Sequence, residues 1–320
     1  MRDIDKTTLN VCEAGIWSGG GQGLLSNIEF ARQIYPERFS ECGVPVYLRN
    51  VVPLATLLRQ NYIYMPQNAW AWHGPARSFG ELQRKSVLWA ASAIAIKCAD
   101  RVIRIGPMVP DRGIKSAGIL SNVLDIGFEV ALDEASSMLA PDWLPKDEYI
   151  IVTGSLWSYR NIKAVISSYK AYRQSGGNRA LVIVGAISKG SALFRELDEI
   201  KRSNNVNVIT RHVKRSELVF AIKNSACCVL SSLVEASPVT LLEAAAVSTG
   251  IVAWDIPAFR YMTTNEELEN VLFVKNDHQL AKCMGKVFPS SSSLISGQSY
   301  RHDRRVKWVD DFLAGCFGDG

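Results

Sequence analysis

Two glutamates, Glu235 and Glu243, stand eight positions apart in SSLVEASPVTLLEAAAVSTG, residues 231–250, with Ser237-Pro238 between them. A carboxylate accepts two hydrogen bonds at once and so matches a vicinal diol, the pattern presented by a ribose or a pyranose. Ser237 has the residue type of an N-cap, and Pro238 suits the first helical position, where its missing N–H is not needed. The spacing then predicts a helix with Thr240 in its first turn and with Leu241, Leu242 and Ala245 as its buried stripe. The N–H groups of Val239 and Thr240, with the helix dipole behind them, would form an anion site suited to a diphosphate. Glu243 would fall in the second turn, about where a nucleoside's ribose sits, and Glu235 ahead of the helix, nearer a sugar beyond the phosphates. The same spacing also suits a solvated helix residue at Glu243 and a plain N-terminal charge at Glu235. Residue types alone leave both readings open.

The elements that must position these residues are legible from Glu148 onward. Tyr149–Thr153, Ala180–Val184, Val206–Thr210, Ala226–Leu230 and Gly250–Ala253 are short apolar, mostly β-branched runs. Helical stretches over Asn161–Gln174, Ser191–Arg202 and Arg215–Lys223 alternate with them. Such alternation implies parallel βαβ units with both faces of the sheet covered, a doubly wound domain. The first half repeats the theme, with strand candidates at Leu9–Gly15, Val44–Leu48, Tyr62–Met65 and Arg101–Ile105. SGGGQG, residues 18–23, precedes a helix to about Ile34, and Ser86–Cys98 reads as a buried helix. Ala131–Lys146, with two prolines and acidic residues, reads as the interdomain linker. The expected fold is therefore α/β, with two Rossmann-like doubly wound domains facing a central cleft, where ligands of such sheets bind. The expected division is 1–140 for an N-terminal domain and 141–301 for a C-terminal one, and the resemblance described below implies an acceptor side for the first and donor binding for the second. A C-terminal helix near 302–316 stands outside the alternation and is expected to pack back on the first domain.

The bulk composition fits that size: 320 residues and 48% hydrophobic content allow two ordinary cores. The net charge of +5 suits phosphate-bearing ligands or an anionic membrane surface, and it is too diffuse to argue for nucleic acid. Seven cysteines are scattered through mostly apolar runs without a CxxC pair, which implies buried free thiols and no zinc site. The beginning, MRDIDKTTLN, lacks the layout of a signal peptide, so a cytoplasmic location is expected. The stretch Ser86–Cys98 is about 13 residues, too short to span a bilayer.

The stretch EASPVTLLEAAAVSTGIVAW resembles the E-x7-E region of the retaining family 4 (group 1) glycosyltransferases, whose two-domain architecture is the GT-B fold. Upstream, VTGSLWSYRNIKAVISSY is similar to that family's glycine, basic and "K-N/G" segment, and LVIVG and VNVITRHVKRSELVFAIKNSACCVLSS follow in the family's order. The resemblance covers about Glu148–Met284; in the first half only SGGGQG and CADRVIRIG resemble the family, and loosely.

Carried over residue by residue, the resemblance implies that Glu243 binds the donor ribose and Glu235 the transferred sugar. It implies that Ser237, Pro238, Val239 and Thr240 hold the diphosphate through their backbone, with Arg160 where a lysine normally pairs with it. Gly154 would allow close approach of the chain to the donor, and the backbone at Val213 would meet the base. The implied catalytic residues are Glu235 and Arg160, and the implied acceptor-side residues are Gly20, Gly21, Gln22, Asn68 and His73. Trp70 and Trp72 suit either stacking on an acceptor sugar or buried packing. Two departures stand out: Ser155 replaces the arginine that usually follows the glycine, and MPQNAWAWHGP lacks the usual histidine directly after the third strand. The implied reaction moves a sugar from a nucleoside diphosphate sugar, UDP- or GDP-linked, to a hydroxyl of a sugar, lipid-linked or small-molecule acceptor, with retention and in bacterial glycan biosynthesis. No metal and no further cofactor is expected, nor nucleic acid, and the charge is compatible with peripheral contact at the inner membrane face. A sugar-nucleotide epimerase and a non-catalytic nucleotide-sugar-binding subunit are the competing readings.

Overall fold

A computed structural model of the chain describes residues 9–12, 22–40, 43–47, 62–66, 69–76, 78–109, 116–120, 124, 126–154, 156, 158–185, 193–195, 197–198, 206–209, 213–247, 249–288 and 298–317. For 9–12, 22–27, 70–71, 116–118, 126, 158, 206–209 and 298–301 it describes the backbone. The chain divides into two units: residues 1–126, 234–237 and 301–320 form the first, and 127–233 with 238–300 form the second.

In the first unit, β1 (Leu9–Cys12), α1 (Gln22–Ile34), β2 (Val44–Tyr47), β3 (Ile63–Tyr64), α2 (Trp70–His73), α3 (Phe79–Cys98), β4 (Arg101–Arg104) and β5 (Ser116–Ile119) follow in order. The five strands pair in parallel in the order β1-β2-β3-β4-β5. Tyr47, Tyr62 and Tyr64 pack with Ala95, Ile96, Ala99 and Val102 into a core that joins the sheet to α3. The Tyr62 hydroxyl donates to the Ala95 carbonyl at 2.7 Å, so the buried phenol keeps a partner.

The helix expected to be buried over Ser86–Cys98 is longer and only partly covered. Ser78 caps it, its Oγ accepting from Glu81 N at 3.1 Å, so α3 begins at Phe79. Ser92, Ala95 and Ile96 form its buried face, whereas Phe79, Leu82, Val87, Trp89 and Ile94 are exposed. The apolar run reflected a helix apolar on more than one side, of which the sheet covers only one.

The second unit begins with α4, whose helix spans Ile126–Ser137, and continues with β6 (Tyr149–Thr153), α5 (Ile162–Gln174), β7 (Ala180–Val184), β8 (Val206–Ile209), α6 (Arg215–Lys223), β9 (Cys227–Leu230), α7 (Val239–Ala246), β10 (Ile251–Trp254), α8 (Pro257–Asn265), β11 (Val271–Val274) and α9 (Asp277–Met284). Residues 131–137, expected as the start of a linker, are instead the last turns of α4, anchored by the buried Phe128, Ala131 and Ala135. Both prolines lie beyond the helix end, at 141 and 145, so they terminate it without breaking it. Within the expected helix over 191–202, residues 193–195 and 197–198 are helical, and the rest lie outside the described residues.

The six strands are all parallel and run in the order β11-β10-β9-β6-β7-β8. Sequence order reverses between β6 and β9, where Ile150 faces Cys227 and Ile151 faces Cys228. That is the switch point of a doubly wound sheet, and the carboxyl ends of these two strands open there. Every residue of β6, β7 and β9 is buried, as near-continuous apolar strands require when helices cover both faces. The core gathers Ile150, Val152, Val165, Ile166, Ile183 and Val229, with Leu280 and Met284 of α9 closing one side.

The last helix, α10 (Gln298–Phe317), belongs to the first unit from Arg301 onward. Buried Arg305 donates to the Leu124 carbonyl at 3.3 Å and lies over the Phe30 ring at 5.3 Å, and Tyr35 donates to Asp310 at 2.9 Å. No helix among the described residues is long and apolar enough to cross a membrane.

Candidate functional site

The loops leaving β6 and β9 are stitched together at the switch point. Gly154 follows β6 with φ 110°, a conformation open to glycine but strained for other residues, and its N–H donates to the Val184 carbonyl at 3.0 Å. A short 3-10 turn, Ser158–Arg160, then presents Arg160 back toward that glycine: a Cβ on Gly154 would lie 3.8 Å from the guanidinium carbon. Arg160 Nη1 donates to Ser232 Oγ at 3.1 Å, Ser231 Oγ donates to the Arg160 carbonyl at 2.5 Å, and Leu233 N donates to the Tyr159 carbonyl at 2.8 Å. Three hydrogen bonds between the two loops therefore fix a half-buried guanidinium at the carboxyl edge of the sheet. Its ring neighbour is Tyr159, 5.5 Å from the guanidinium carbon. Asn161, buried and left-handed at φ 55°, makes the turn from this arginine into α5.

The helix after β9 starts one residue later than the sequence suggests. Pro238, not Ser237, is the N-cap residue of α7, with φ −82° and ψ 70°, and Val239 opens the helix. The Pro238 carbonyl accepts from Leu241 N at 2.9 Å, which closes the first turn without a side-chain cap. Proline fixes φ near the helical value but here retains a non-helical ψ, so it takes the boundary position. The N–H groups of Val239 and Thr240, both half-buried, have no intrahelical acceptor at this terminus. Leu241, Leu242 and Ala245 form the buried face of α7, as the spacing predicts.

Glu243 lies in the second turn of α7 with its side chain 13% exposed. Its Oε1 accepts from Arg215 Nη2 at 2.6 Å, and Arg215 is the first residue of α6. Burial pushes the Cys228 thiol of β9 up, and Cys227 and the Glu243 charge add to the effect. Val213, half-buried, leads into α6, and the Lys214 N–H donates to Glu217 Oε2 at 3.4 Å at the helix start. The sequence reading missed Arg215, because nothing within its own helix marks it.

Glu235 and Ser237, both half-buried, belong to residues 234–237, the short segment that groups with the first unit. Gly106, just past β4, lies against that segment: a Cβ there would meet the Ala236 carbonyl oxygen at 1.8 Å. On the acceptor side, His73 ends α2 exposed, and Trp72 packs against the tyrosine core of the first unit. Ser155, Gly20, Gly21 and Asn68 lie outside the described residues, and Gln22 opens α1 with its backbone alone described. Among the described residues, no group of three or more His, Cys, Asp or Glu side chains is placed to hold a metal ion.

Residues 140–292 match the family described as glycosyl transferases group 1. The matched span contains the whole switch-point edge, from β6 through Arg160 and Arg215 to α7. No curated protein matches the chain. Among solved structures, a UDP-forming alpha,alpha-trehalose-phosphate synthase from Burkholderia xenovorans aligns with a TM-score of 0.62 at 13% identity, over 92% of this chain and 78% of that one. The E. coli trehalose-6-phosphate synthase bound with UDP-2-fluoro glucose gives 0.59 at 14% identity, over 93% and 78%. A Burkholderia xenovorans synthase in complex with glucose-6-phosphate gives 0.58 at 10% identity, over 91% and 76%. At such identities the likeness establishes the fold, which is the GT-B glycosyltransferase fold expected from the sequence.

Proposed function

We propose that the protein is a retaining family 4 glycosyltransferase that moves a sugar from a nucleoside diphosphate sugar to an acceptor hydroxyl. The observation that carries this reading is the switch-point edge, where Gly154, Arg160 and the N-terminus of α7 lie on loops from adjacent strands. Diphosphate oxygens would be met by the Arg160 guanidinium and by the backbone at Ser237, Pro238, Val239 and Thr240. Glu243 would bind the donor ribose, the backbone at Val213 the base, and Glu235 the transferred sugar. Ser155 would stand beside the diphosphate without supplying a charge.

In the reaction, the bond from the anomeric carbon to the diphosphate oxygen breaks, and its electron pair stays with the nucleotide. The acceptor oxygen bonds to the same face of that carbon as its proton is released. Negative charge therefore grows on the departing phosphate, where a fixed guanidinium and a helix terminus need no reorganisation to stabilise it. Glu235 would orient the sugar and favour the positive charge that develops on its ring. UDP- or GDP-linked donors are proposed, and the UDP-2-fluoro glucose of the E. coli neighbour is of that class. Its sugar, lipid-linked or small-molecule acceptor would belong to bacterial glycan or glycoconjugate synthesis. A cytoplasmic setting with peripheral membrane contact completes the proposal, and Gly20, Gly21, Gln22, Asn68 and His73 are its acceptor-side residues.

The test incubates the protein with UDP- and GDP-sugars, with and without an acceptor extract. Free nucleotide released only with acceptor is the expected result, and Glu235→Gln should lose it while melting at the same temperature. Donor interconversion without acceptor would mark an epimerase, and binding without turnover a non-catalytic subunit; either outcome overturns the proposal.

A further inference from the structure

Between β9 and α7 the burial of the chain alternates. Val234 and Ala236 are 1% and 4% exposed and Pro238 is buried, whereas Leu233, Glu235 and Ser237 are half-buried. A period of two sends successive side chains to opposite sides, so Val234 and Ala236 pin the segment from one side while Glu235 stands on the other. Gly106, buried just past β4, lies against the pinned side: a Cβ there would overlap the Ala236 carbonyl oxygen and stand 3.0 Å from its carbon. Its own backbone is not left-handed, unlike that of Gly154 and Gly176, so conformation alone does not call for glycine at this position. What glycine supplies at 106 is space for a second backbone. The wall it belongs to is fixed, because Val109 N donates to the Gly106 carbonyl at 3.2 Å and both Ile105 and Val109 are buried.

We propose that Gly106 is a positioning residue for sugar transfer: by admitting the backbone of residues 234–237, it sets where the Glu235 carboxylate stands. This rests on the reading of Glu235 as the residue that meets the transferred sugar. Gly106 and residues 234–237 belong to the first unit, and Arg160, Pro238, Val239 and Thr240 belong to the second. Of the groups proposed to hold the diphosphate, only Ser237 therefore lies in the segment that Gly106 seats. A Cβ at 106 must push Ala236, and Glu235 with it, by about 1 Å, since backbone meets backbone and no flexible side chain can yield. A misplacement of about 1 Å costs about a hundredfold in rate where reacting groups must be aligned. Nucleotide binding, held mainly by groups outside the segment, changes far less. The missing side chain at 106 thus acts on transfer through Glu235 and not through the grip on the diphosphate.

The experiment compares wild type, Gly106→Ala, Glu235→Gln and the double variant, measuring turnover of UDP- and GDP-sugars with acceptor extract and calorimetric binding of UDP and GDP. Gly106→Ala should lower kcat about a hundredfold while nucleotide affinity stays within about threefold of wild type. The double variant should be no slower than Glu235→Gln alone, because both changes act through one carboxylate. Wild-type turnover in Gly106→Ala overturns the inference. So does a parallel loss of turnover and nucleotide affinity, the mark of a merely structural glycine, and so does additivity in the double variant. Should Gly106→Ala fail to fold, Val234→Ala decides instead, since it loosens the same segment without overfilling it. Turnover several-fold lower with intact nucleotide binding supports the inference there, and unchanged turnover overturns it. If wild type transfers no sugar, or Glu235→Gln turns over like wild type, the proposed function itself fails, an outcome read without any change at 106.

Discussion

Gly185→Ala should damage both the stability of the second unit and the nucleotide binding proposed for it. Gly185 follows β7, and a Cβ there would meet the Gly154 carbonyl oxygen at 1.8 Å, its carbon at 2.9 Å and Leu156 Cδ2 at 3.1 Å. The nearest atoms are backbone, so no flexible side chain can yield. The turn must retreat by about 1.2 Å before the contact reaches the 3.0 Å that Cβ atoms tolerate. Overpacking of this kind costs about 1–3 kcal/mol, and disturbing the Gly154–Val184 hydrogen bond adds about 1 kcal/mol. The expected loss, about 2–4 kcal/mol, is a large share of the 5–15 kcal/mol typical of a domain. Urea unfolding should show a lower midpoint with an unchanged slope. Below that transition, nucleotide affinity should fall at least about tenfold, because the displaced turn is the one against which Arg160 lies. An unchanged midpoint would refute the packing argument. A lowered midpoint with intact nucleotide affinity would detach Gly154 from the donor site.

Two further expectations follow from the same geometry. Arg160→Ala removes the proposed charged partner of the diphosphate and the bond to Ser232, so nucleotide affinity should drop about tenfold to a hundredfold, with partial recovery in Arg160→Lys; unchanged calorimetric binding would exclude Arg160 from the site. Asp255 accepts from Arg260 at 2.7 and 3.1 Å, and these bonds hold its carboxyl below the ordinary range despite opposing burial, with the Arg260 and Lys275 charges assisting. Its folded pKa lies below the unfolded value of about 3.9, so its contribution is complete above that pH and fades as pH falls through the folded value. Asp255→Asn should flatten the acid limb of melting temperature against pH below about 4, and an identical limb in the variant would count against the pairing.

Five of the six strands of the second unit were legible to within one residue, because strands buried on both faces must be apolar throughout; the edge strand β11, only half-covered over Val271–Phe273, was not read from the sequence. The run Tyr149–Thr153 coincides with β6, and Arg215–Lys223 with α6. The α7 boundary was legible to within one position, since a Ser-Pro pair marks a helix start but not which residue takes the non-helical ψ. Ala131–Lys146 misled because its prolines and acidic residues outweighed the apolar Phe128, Ala131 and Ala135, whose burial makes α4 a helix. The length of α3 was hidden by its exposed Phe79 and Leu82, which carry no strong period, while Ser78 set its true start.

By itself the sequence determined the alternation of strands and helices, and the residue types at the carboxyl edge: a glycine, an arginine and two glutamates around a helix start. Those follow from local rules of burial and backbone freedom, which a linear reading captures. Tertiary structure alone decided that β6 lies beside β9, and hence that Arg160 bonds Ser231 and Ser232 across 71 and 72 positions of chain. It alone decided that Arg215 reaches Glu243, and that residues 234–237 group with the first unit while Pro238 groups with the second. The physical reason is that strand order and helix–helix pairing are set by how whole faces pack, whereas a side chain's partner across such a packing leaves no mark on its own neighbours in sequence.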